Sequence, residues 1–433
     1  MDKQSEKYQT YVQILKEELV PAMGCTEPIA LAYAAAKGRE VLGCLPERVF
    51  LQVSGSIIKN VKSVIVPNTG HLKGLSAAAA AGIVAGCPEK ELEVIAEVSD
   101  AAQEEIRHFL ETVQVDVEHI DNGHVFDIIV TEYCGDSYSK VRIADFHTNI
   151  ILIEKDGNIL LDKPLMEKQE EEEDRADRSL LNIADIWDFA NTVDVKEVED
   201  VLERQIRYNN AIAEEGLLGD YGANIGSVLL NTFGNDVAVR AKAKAAAGSD
   251  ARMNGCELPV IINSGSGNQG ITCSVPLIEY AKELNCGKEK LYRALVLSNL
   301  VAIHEKTGIG TLSAYCGAVS AGAGAGAGIV YLYDGSYEDV IHTIVNSLAI
   351  VSGIVCDGAK ASCAAKIASS VDAAILGYNM YKRGQEFKGG DGIVMNDIEA
   401  TIRCIGCLGK DGMQETNEEI IRLMMGEEGN NTK

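Results

Sequence analysis

The chain has 433 residues, with 64 acidic and 39 basic side chains and a formal net charge of −25 at pH 7. This acidity argues against nucleic acid and anionic membranes as partners, because both bind to basic surfaces. With 46% hydrophobic residues, the chain is long enough for two or three domains with their own cores. Twelve cysteines and no visible export signal predict a cytoplasmic protein whose cysteines are free thiols, metal ligands or catalytic groups.

Helix and strand patterns alternate through the first part of the chain: helices up to residue 45 and at 75–85 and 88–110, and strands at 48–66 and 113–162. A run of like charge at residues 167–178 marks the predicted domain boundary. We therefore expect an α/β (α+β) N-terminal domain, residues 1–175, and a mostly α-helical domain, residues 176–433. Beyond the boundary, residues 258–263 are the one strand candidate, and the Gly/Ala-rich residues 314–333 predict a buried helix rather than a membrane span.

Three cysteines in the C-terminal part could share a metal. Cys356 and Cys363 face the same side if one helix contains both; if Gly358 breaks that helix, Cys356 lies on a loop near the start of the helix that carries Cys363. Cys316 precedes the Gly/Ala run, where missing side chains leave room for a bulky group. Buried cysteines between closely packed helices remain the alternative.

Near the N-terminus, Cys25 stands directly before Thr26, a good helix N-cap, and before Pro28 in the first turn. The partial positive charge of a helix N-terminus favours thiolate over thiol, which is typical of a reactive cysteine. A capped helix whose neighbour happens to be cysteine is the alternative.

Residues 263–270, NSGSGNQG, contain a formal GxGxxG after an apolar segment. No regular βαβ unit follows, so a dinucleotide site is less favoured than a cradle for a small carboxylate. Arg252, in the segment SDAR, suits a carboxylate, although a surface pair with an acid is the default. The CxxC pair Cys404 and Cys407 lacks a second CxxC, which favours buried thiols over a zinc site.

Five segments together resemble the L-cysteine desulfidase family and, more distantly, the α-chain of iron–sulfur L-serine dehydratases. In chain order they are MGCTEPIALA, SDARM, NSGSGNQGITCSVP, SAYCGAVSAGAGAGAGI and VCDGAKASCAAK. The resemblance covers nearly the whole chain and implies a [4Fe–4S] cluster held by Cys316, Cys356 and Cys363, with one iron open. It implies Cys25 as the catalytic base. The resemblance also implies substrate contacts in two segments. The first contains Asn68 and Thr69, and the second contains Ser264, Gly265, Asn268 and Gln269.

The resemblance implies non-redox elimination of L-cysteine to pyruvate, ammonia and sulfide, with substrate on the open iron and Cys25 removing the Cα proton. The same elimination on L-serine is the first alternative. An iron–sulfur electron-transfer or sensor protein with Cys404 or Cys407 as fourth ligand is the second, and a nucleotide-dependent oxidoreductase the third. The sequence does not decide whether the protein forms a homo-oligomer.

Overall fold

The computed structural model of the chain describes residues 1–165, 175–310 and 313–426. An N-terminal mixed sheet with helices is followed by a C-terminal part that is mostly helical, which confirms the predicted fold class. The strands are β1 (Pro21–Met23), β2 (Arg48–Ser54), β3 (Gln114–Ile120), β4 (Asp127–Cys134), β5 (Ser137–Ala144), β6 (Ile150–Lys155), β7 (Asn158–Asp162) and β8 (Pro259–Ile261).

The helices of the N-terminal part are α1 (Glu6–Glu18), α2 (Thr26–Leu42), α3 (Gly55–Val61), α4 (Gly74–Ala85) and α5 (Asp100–Thr112). The described helices of the C-terminal part are α6 (Ile183–Thr192), α7 (Glu199–Leu218), α8 (Ile225–Phe233), α9 (Val237–Met253), α10 (Gly267–Glu283), α11 (Lys288–Ile309), α12 (Gly317–Leu332), α13 (Tyr337–Val351), α14 (Cys363–Tyr381), α15 (Ile398–Cys407) and α16 (Gln414–Met425).

The N-terminal sheet has the strand order β3-β2-β4-β5-β6-β7. Only β2 and β3 run parallel, and the other neighbouring strands are antiparallel. Alternate residues of β2, Val49, Leu51 and Val53, are fully buried in a core that also contains the apolar side chains of α2 and α4. Period-two burial of this kind is what a strand with one covered face requires.

Helices approach one another closely because glycine and alanine line their contacts. A Cβ on Gly82 of α4 would lie 2.0 Å from the carbonyl oxygen of Ala32 on α2. On α12, a Cβ on Gly324 would lie 2.4 Å from the Ser298 carbonyl oxygen, and one on Gly322 would lie 2.8 Å from Ser370. The predicted buried helix at 314–333 is thus confirmed as α12, and no helix in the described ranges is long and apolar enough to cross a membrane.

Two short strands join the halves of the chain. β1 pairs antiparallel with β8, so that Pro21 faces Ile261 and Met23 faces Pro259. The strand predicted at 258–263 is therefore confirmed. Helix α1 also packs into the large helical core, where Tyr8 and Tyr11 lie edge-on against Phe189. The N-terminus thus begins in the C-terminal core before it enters the sheet.

Two element predictions were wrong in part. The strand expected at 48–66 ends at Ser54, and α3 follows, because the adjacent residues Ile57 and Ile58 are both buried with Val61, a helical and not an alternating pattern. The helix expected at 88–110 begins only at Asp100, where the Ser99 side chain caps the first turn. Most of the charged run at 167–178 lies outside the described residues, so the domain boundary stays a prediction.

Gly82→Ala should destabilise the fold by about 1–3 kcal/mol, because the new methyl group meets a backbone carbonyl that cannot move independently. Gly308→Ala is the matched control, since a Cβ there meets only the Gly406 Cα at 3.5 Å and alanine is the better helix former. Urea unfolding of both variants measures the difference. Equal stability of the two variants would contradict the close packing of α2 on α4.

Candidate active site

Cys25 lies at the start of α2, where three segments meet. It is the N-cap residue itself, one position earlier than the cap predicted at Thr26, and Pro28 lies in the first turn as expected. The preceding Gly24 has φ +56°, and a Cβ there would lie 2.6 Å from Pro67. The Cys25 side chain is 5% exposed and packs in a small cluster with Val64, Met253, Ala359 and Cys363. The predicted base is thus brought beside one of the three predicted metal ligands.

A carboxylate that the sequence analysis missed contributes, after burial, to the raised pKa of Cys25. The Cys25 thiol donates to Glu27 Oε2 at 3.4 Å, and Asn60 Nδ2 donates to Glu27 Oε1 at 3.3 Å. Burial and the negative charge of Glu27 raise the pKa of Cys25 well above its ordinary value, and the charge of Arg252 acts in the opposite direction. The expected thiolate is therefore not what the chain alone produces, because burial outweighs the helix N-terminus. Glu27 is part of the CTEP motif, but only the structure shows that its carboxylate accepts a hydrogen bond from the Cys25 thiol.

The side chains of the two polar residues in the turn at 67–70 donate hydrogen bonds to backbone carbonyls. Asn68 Nδ2 donates to the Ile95 carbonyl at 2.8 Å, and Thr69 Oγ1 donates to the Val66 carbonyl at 2.7 Å. The turn supports Gly24 through Pro67, and so it helps to fix the position of Cys25. A direct role of Asn68 or Thr69 in substrate contact stays a prediction.

The segment at 263–270 forms a tight turn that leads into α10. Ser264 and Gly265 both have positive φ, and a Cβ on Gly265 would meet nothing within 4 Å, so this end of the turn is open. Asn268 Oδ1 accepts from Arg252 Nη1 at 3.3 Å. Gln269 is 6% exposed, and its buried Oε1 has no hydrogen-bond partner in the described part of the chain.

The three cysteines of the predicted ligand set lie together. Cys316 is the N-cap of α12, and Cys363 is the first residue of α14. Cys356 lies on a loop, because Gly358, with φ +91°, separates it from α14. The two hydrogen bonds Cys356 N to Ala314 O, at 2.6 Å, and Cys316 N to Ile354 O, at 3.1 Å, tie these loops to each other. Of the two arrangements left open for Cys356 and Cys363, the interrupted helix is the correct one.

The thiols affect one another's ionisation. Burial and the neighbouring Cys356 raise the pKa of Cys316, and burial raises the pKa of Cys363. Two helix N-termini point toward this place, which favours anionic groups there. The CxxC pair differs from its expectation, since Cys407 is exposed at the end of α15 and Cys404 is partly buried.

Four lysines surround the three cysteines, although the chain as a whole is strongly acidic. Lys59 is fully buried, with Nζ 2.6 Å from Asn417 Oδ1 on α16, and the charges of Cys316 and Cys356 act on it. The same two thiols act on Lys306, whose pKa burial lowers to about 8. On the other side, Lys360 and Lys366 both pair with Asp357 and act on Cys363.

This donor set fits an iron–sulfur cluster by its chemistry. Thiols are the ligands that such clusters take, and surrounding cations offset the negative charge of several thiolates. Within the described residues, no group of three His, Cys, Asp or Glu side chains is arranged for a single metal ion.

Glu27→Gln should lower the pKa of the Cys25 thiol, because it removes the negative charge at 3.4 Å while it keeps an acceptor there. The pH midpoint for alkylation of Cys25 by iodoacetamide, followed by peptide mass spectrometry, should move to lower pH. Glu40→Gln, on the same helix but paired with Lys37 at the surface, is the control and should leave the midpoint unchanged. Identical midpoints in the two variants would show that Glu27 does not set the ionisation of Cys25.

Comparisons with known proteins show the family of this chain. Residues 89–422, more than half of the chain, match the family described as serine dehydratase alpha chain. A UPF0597 protein of Desulfitobacterium hafniense is 60% identical over 430 residues, covering 98% of each chain. UPF0597 proteins of Lachnoclostridium phytofermentans and Treponema denticola are 53% and 47% identical over 96% and 98% of this chain, and over 100% of their own. The chain therefore belongs to the serine dehydratase alpha chain family and is related along nearly its whole length to UPF0597 proteins.

Proposed function

We propose that the protein is a cytoplasmic [4Fe–4S]-dependent L-cysteine desulfidase, which converts L-cysteine and water to pyruvate, ammonia and sulfide. Family membership supports a lyase of the serine dehydratase type. The observation that supports the finer proposal is the small apolar cluster around Cys25, against which Cys363 of the predicted ligand set packs.

In this proposal Cys316, Cys356 and Cys363 hold the cluster. When bound by three cysteines, such a cluster would supply a Lewis acid at the iron that no side chain holds, and this would make sulfide a better leaving group from Cβ. Burial alone disfavours the ionised form of these thiols, and the charges of the neighbouring lysines, Lys59, Lys306, Lys360 and Lys366, act in the opposite direction.

Cys25 removes the Cα proton of the substrate. It must first lose its own proton, and Glu27 Oε2, which already accepts from the thiol at 3.4 Å, is placed to take it. The positive charge of Arg252 favours the resulting thiolate. Loss of the Cα proton and of sulfide gives aminoacrylate, which tautomerises and hydrolyses to pyruvate and ammonia.

L-serine is the second candidate substrate, with water leaving in place of sulfide. The description of the matched family as serine dehydratase alpha chain favours it. Both amino acids present a small heteroatom on Cβ to the same site, so the residues described above serve either reaction.

The deciding experiment is anaerobic. The protein, reconstituted with iron and sulfide, should release pyruvate and sulfide in equal amounts from L-cysteine, and exposure to air should abolish the activity. Pyruvate from L-serine alone would keep the mechanism and change the substrate. If iron does not bind and neither amino acid yields pyruvate, the proposed function is wrong.

Cys25→Ala should keep the bound iron and lose turnover by a factor of about 10² or more, because general-base catalysis is removed while the ligands stay. Iron analysis and the pyruvate assay on the same preparation separate these two effects. A Cys25→Ala protein with ordinary turnover would remove Cys25 from the mechanism.

Replacing any one of Cys316, Cys356 and Cys363 with serine should reduce the iron bound per chain, because each supplies one of three ligands. Cys404→Ser is the matched control, since Cys404 is also a partly buried thiol but lies on α15. Loss of iron in the control would instead favour the electron-transfer alternative, in which the CxxC pair supplies a fourth ligand.

A further inference from the structure

Arg252 is a buried cation without an acidic partner in the described residues. Its side chain is 5% exposed, at the C-terminal end of α9, and no ion pair within 4.0 Å involves it in that part of the chain. Its neighbour Asp250, the default partner expected from the sequence, instead accepts from the backbone N–H groups of Ala223 and Ile225. Burying a guanidinium in this way is costly unless an anion is bound there.

The donors of Arg252 are only partly used. Nη1 donates to Asn268 Oδ1 at 3.3 Å, a long bond to a neutral amide, while the buried Nε has no hydrogen-bond partner in the described chain. Gly267 makes room for this side chain, because a Cβ there would lie 2.3 Å from Arg252 Nε. The turn at 263–270 is thus built around the guanidinium, and donors remain free for a ligand.

The position of Arg252 connects the two sides of the site. Met253, the next residue, packs in the same cluster as Cys25 and Cys363. On the other side, Gln269 packs so closely on Gly317 that a Cβ there would lie 2.6 Å from its amide carbon, next to Cys316. Gln269 Oε1 is a buried acceptor without a partner in the described residues, and it follows directly on Asn268, which accepts from Arg252. An unsatisfied acceptor and an unsatisfied cation on the same turn suit a ligand that carries both charges.

We propose that Arg252 and Gln269 form the recognition site for the zwitterionic end of the substrate, with Arg252 binding the α-carboxylate and Gln269 Oε1 accepting from the α-ammonium. Arginine binds carboxylates through parallel N–H donors, and its buried position strengthens that interaction. This assignment rests on the proposed function, in that it takes the ligand to be an α-amino acid. It makes Arg252 the residue that distinguishes amino acids from simple thiols and alcohols.

The test uses L-alanine, which has the carboxylate and the ammonium but no leaving group on Cβ. Binding of L-alanine and of ethylamine, the same molecule without the carboxylate, is measured by calorimetry on the anaerobically reconstituted protein. The wild type should bind L-alanine, and Arg252→Gln should weaken this binding by about 10- to 100-fold, the cost of one charged hydrogen-bonding pair. Ethylamine should bind both proteins equally weakly.

Two further variants keep the result interpretable. Arg252→Lys keeps the charge and should recover part of the affinity. Arg240→Gln is the matched control, because it removes a guanidinium from the same helix at the end where Glu279 and Glu283 pair with it, and it should leave L-alanine binding unchanged. Thermal unfolding of each variant establishes that it is folded.

The assignment is overturned if the wild type does not bind L-alanine. It is also overturned if Arg252→Gln weakens L-alanine no more than Arg240→Gln does, or weakens ethylamine to the same extent. Failure of the proposed function alone would give a different result. L-alanine binding would still depend on Arg252, but neither L-cysteine nor L-serine would be converted to pyruvate.

Discussion

The pairing of β1 with β8 is the constraint on which the site depends. Each strand has three residues, and they come from opposite halves of the sequence. Cys25 follows β1 directly, and the turn at 263–270 follows β8. A few backbone hydrogen bonds therefore bring the proposed base and the proposed anion cradle to the same place, and neither half of the chain contains the site alone.

Charge is distributed unevenly around this place. The chain carries a net charge of −25, yet buried lysines and an arginine collect where the thiols are. Burial removes water from each lysine ammonium, which disfavours its charged form. The negative charge of a nearby group offsets this cost at Lys59 and Lys306. Burial lowers the pKa of both lysines, and the thiols Cys316 and Cys356 act in the opposite direction on each.

The sequence predicted the parts of the molecule that depend on local pattern. The helix that follows Cys25, the buried helix α12, the strands from residue 113 onward and the short strand at 258–263 all follow from spacing and from turn residues. The grouping of Cys316, Cys356 and Cys363 was expected chiefly from the resemblance, since spacing alone left two geometries for Cys356 and Cys363. Gly358, with its positive φ, decides between them.

The sequence could not predict the side-chain contacts that depend on the tertiary fold. Glu27 lies two residues from Cys25, but its effect on the thiol depends on how the side chains turn at the helix start. Lys59 stands in an apolar stretch that resembles a strand, so neither its helix nor its partner Asn417 was predicted. Arg252 was noticed as a carboxylate ligand, but only the fold shows that its neighbour Asp250 is engaged elsewhere.

The bond between Lys59 and Asn417 has a consequence for how the protein matures. Asn417 lies on the last described helix, α16, whose Ile421 also packs against the start of α3. During synthesis the ribosome releases Cys25 and Lys59 first and the residues that complete their surroundings last. A nascent chain can fold its sheet early, but the contacts of Lys59 with Asn417 and of α3 with Ile421 form only after α16 has emerged. The surroundings of Lys59 are therefore completed late in synthesis.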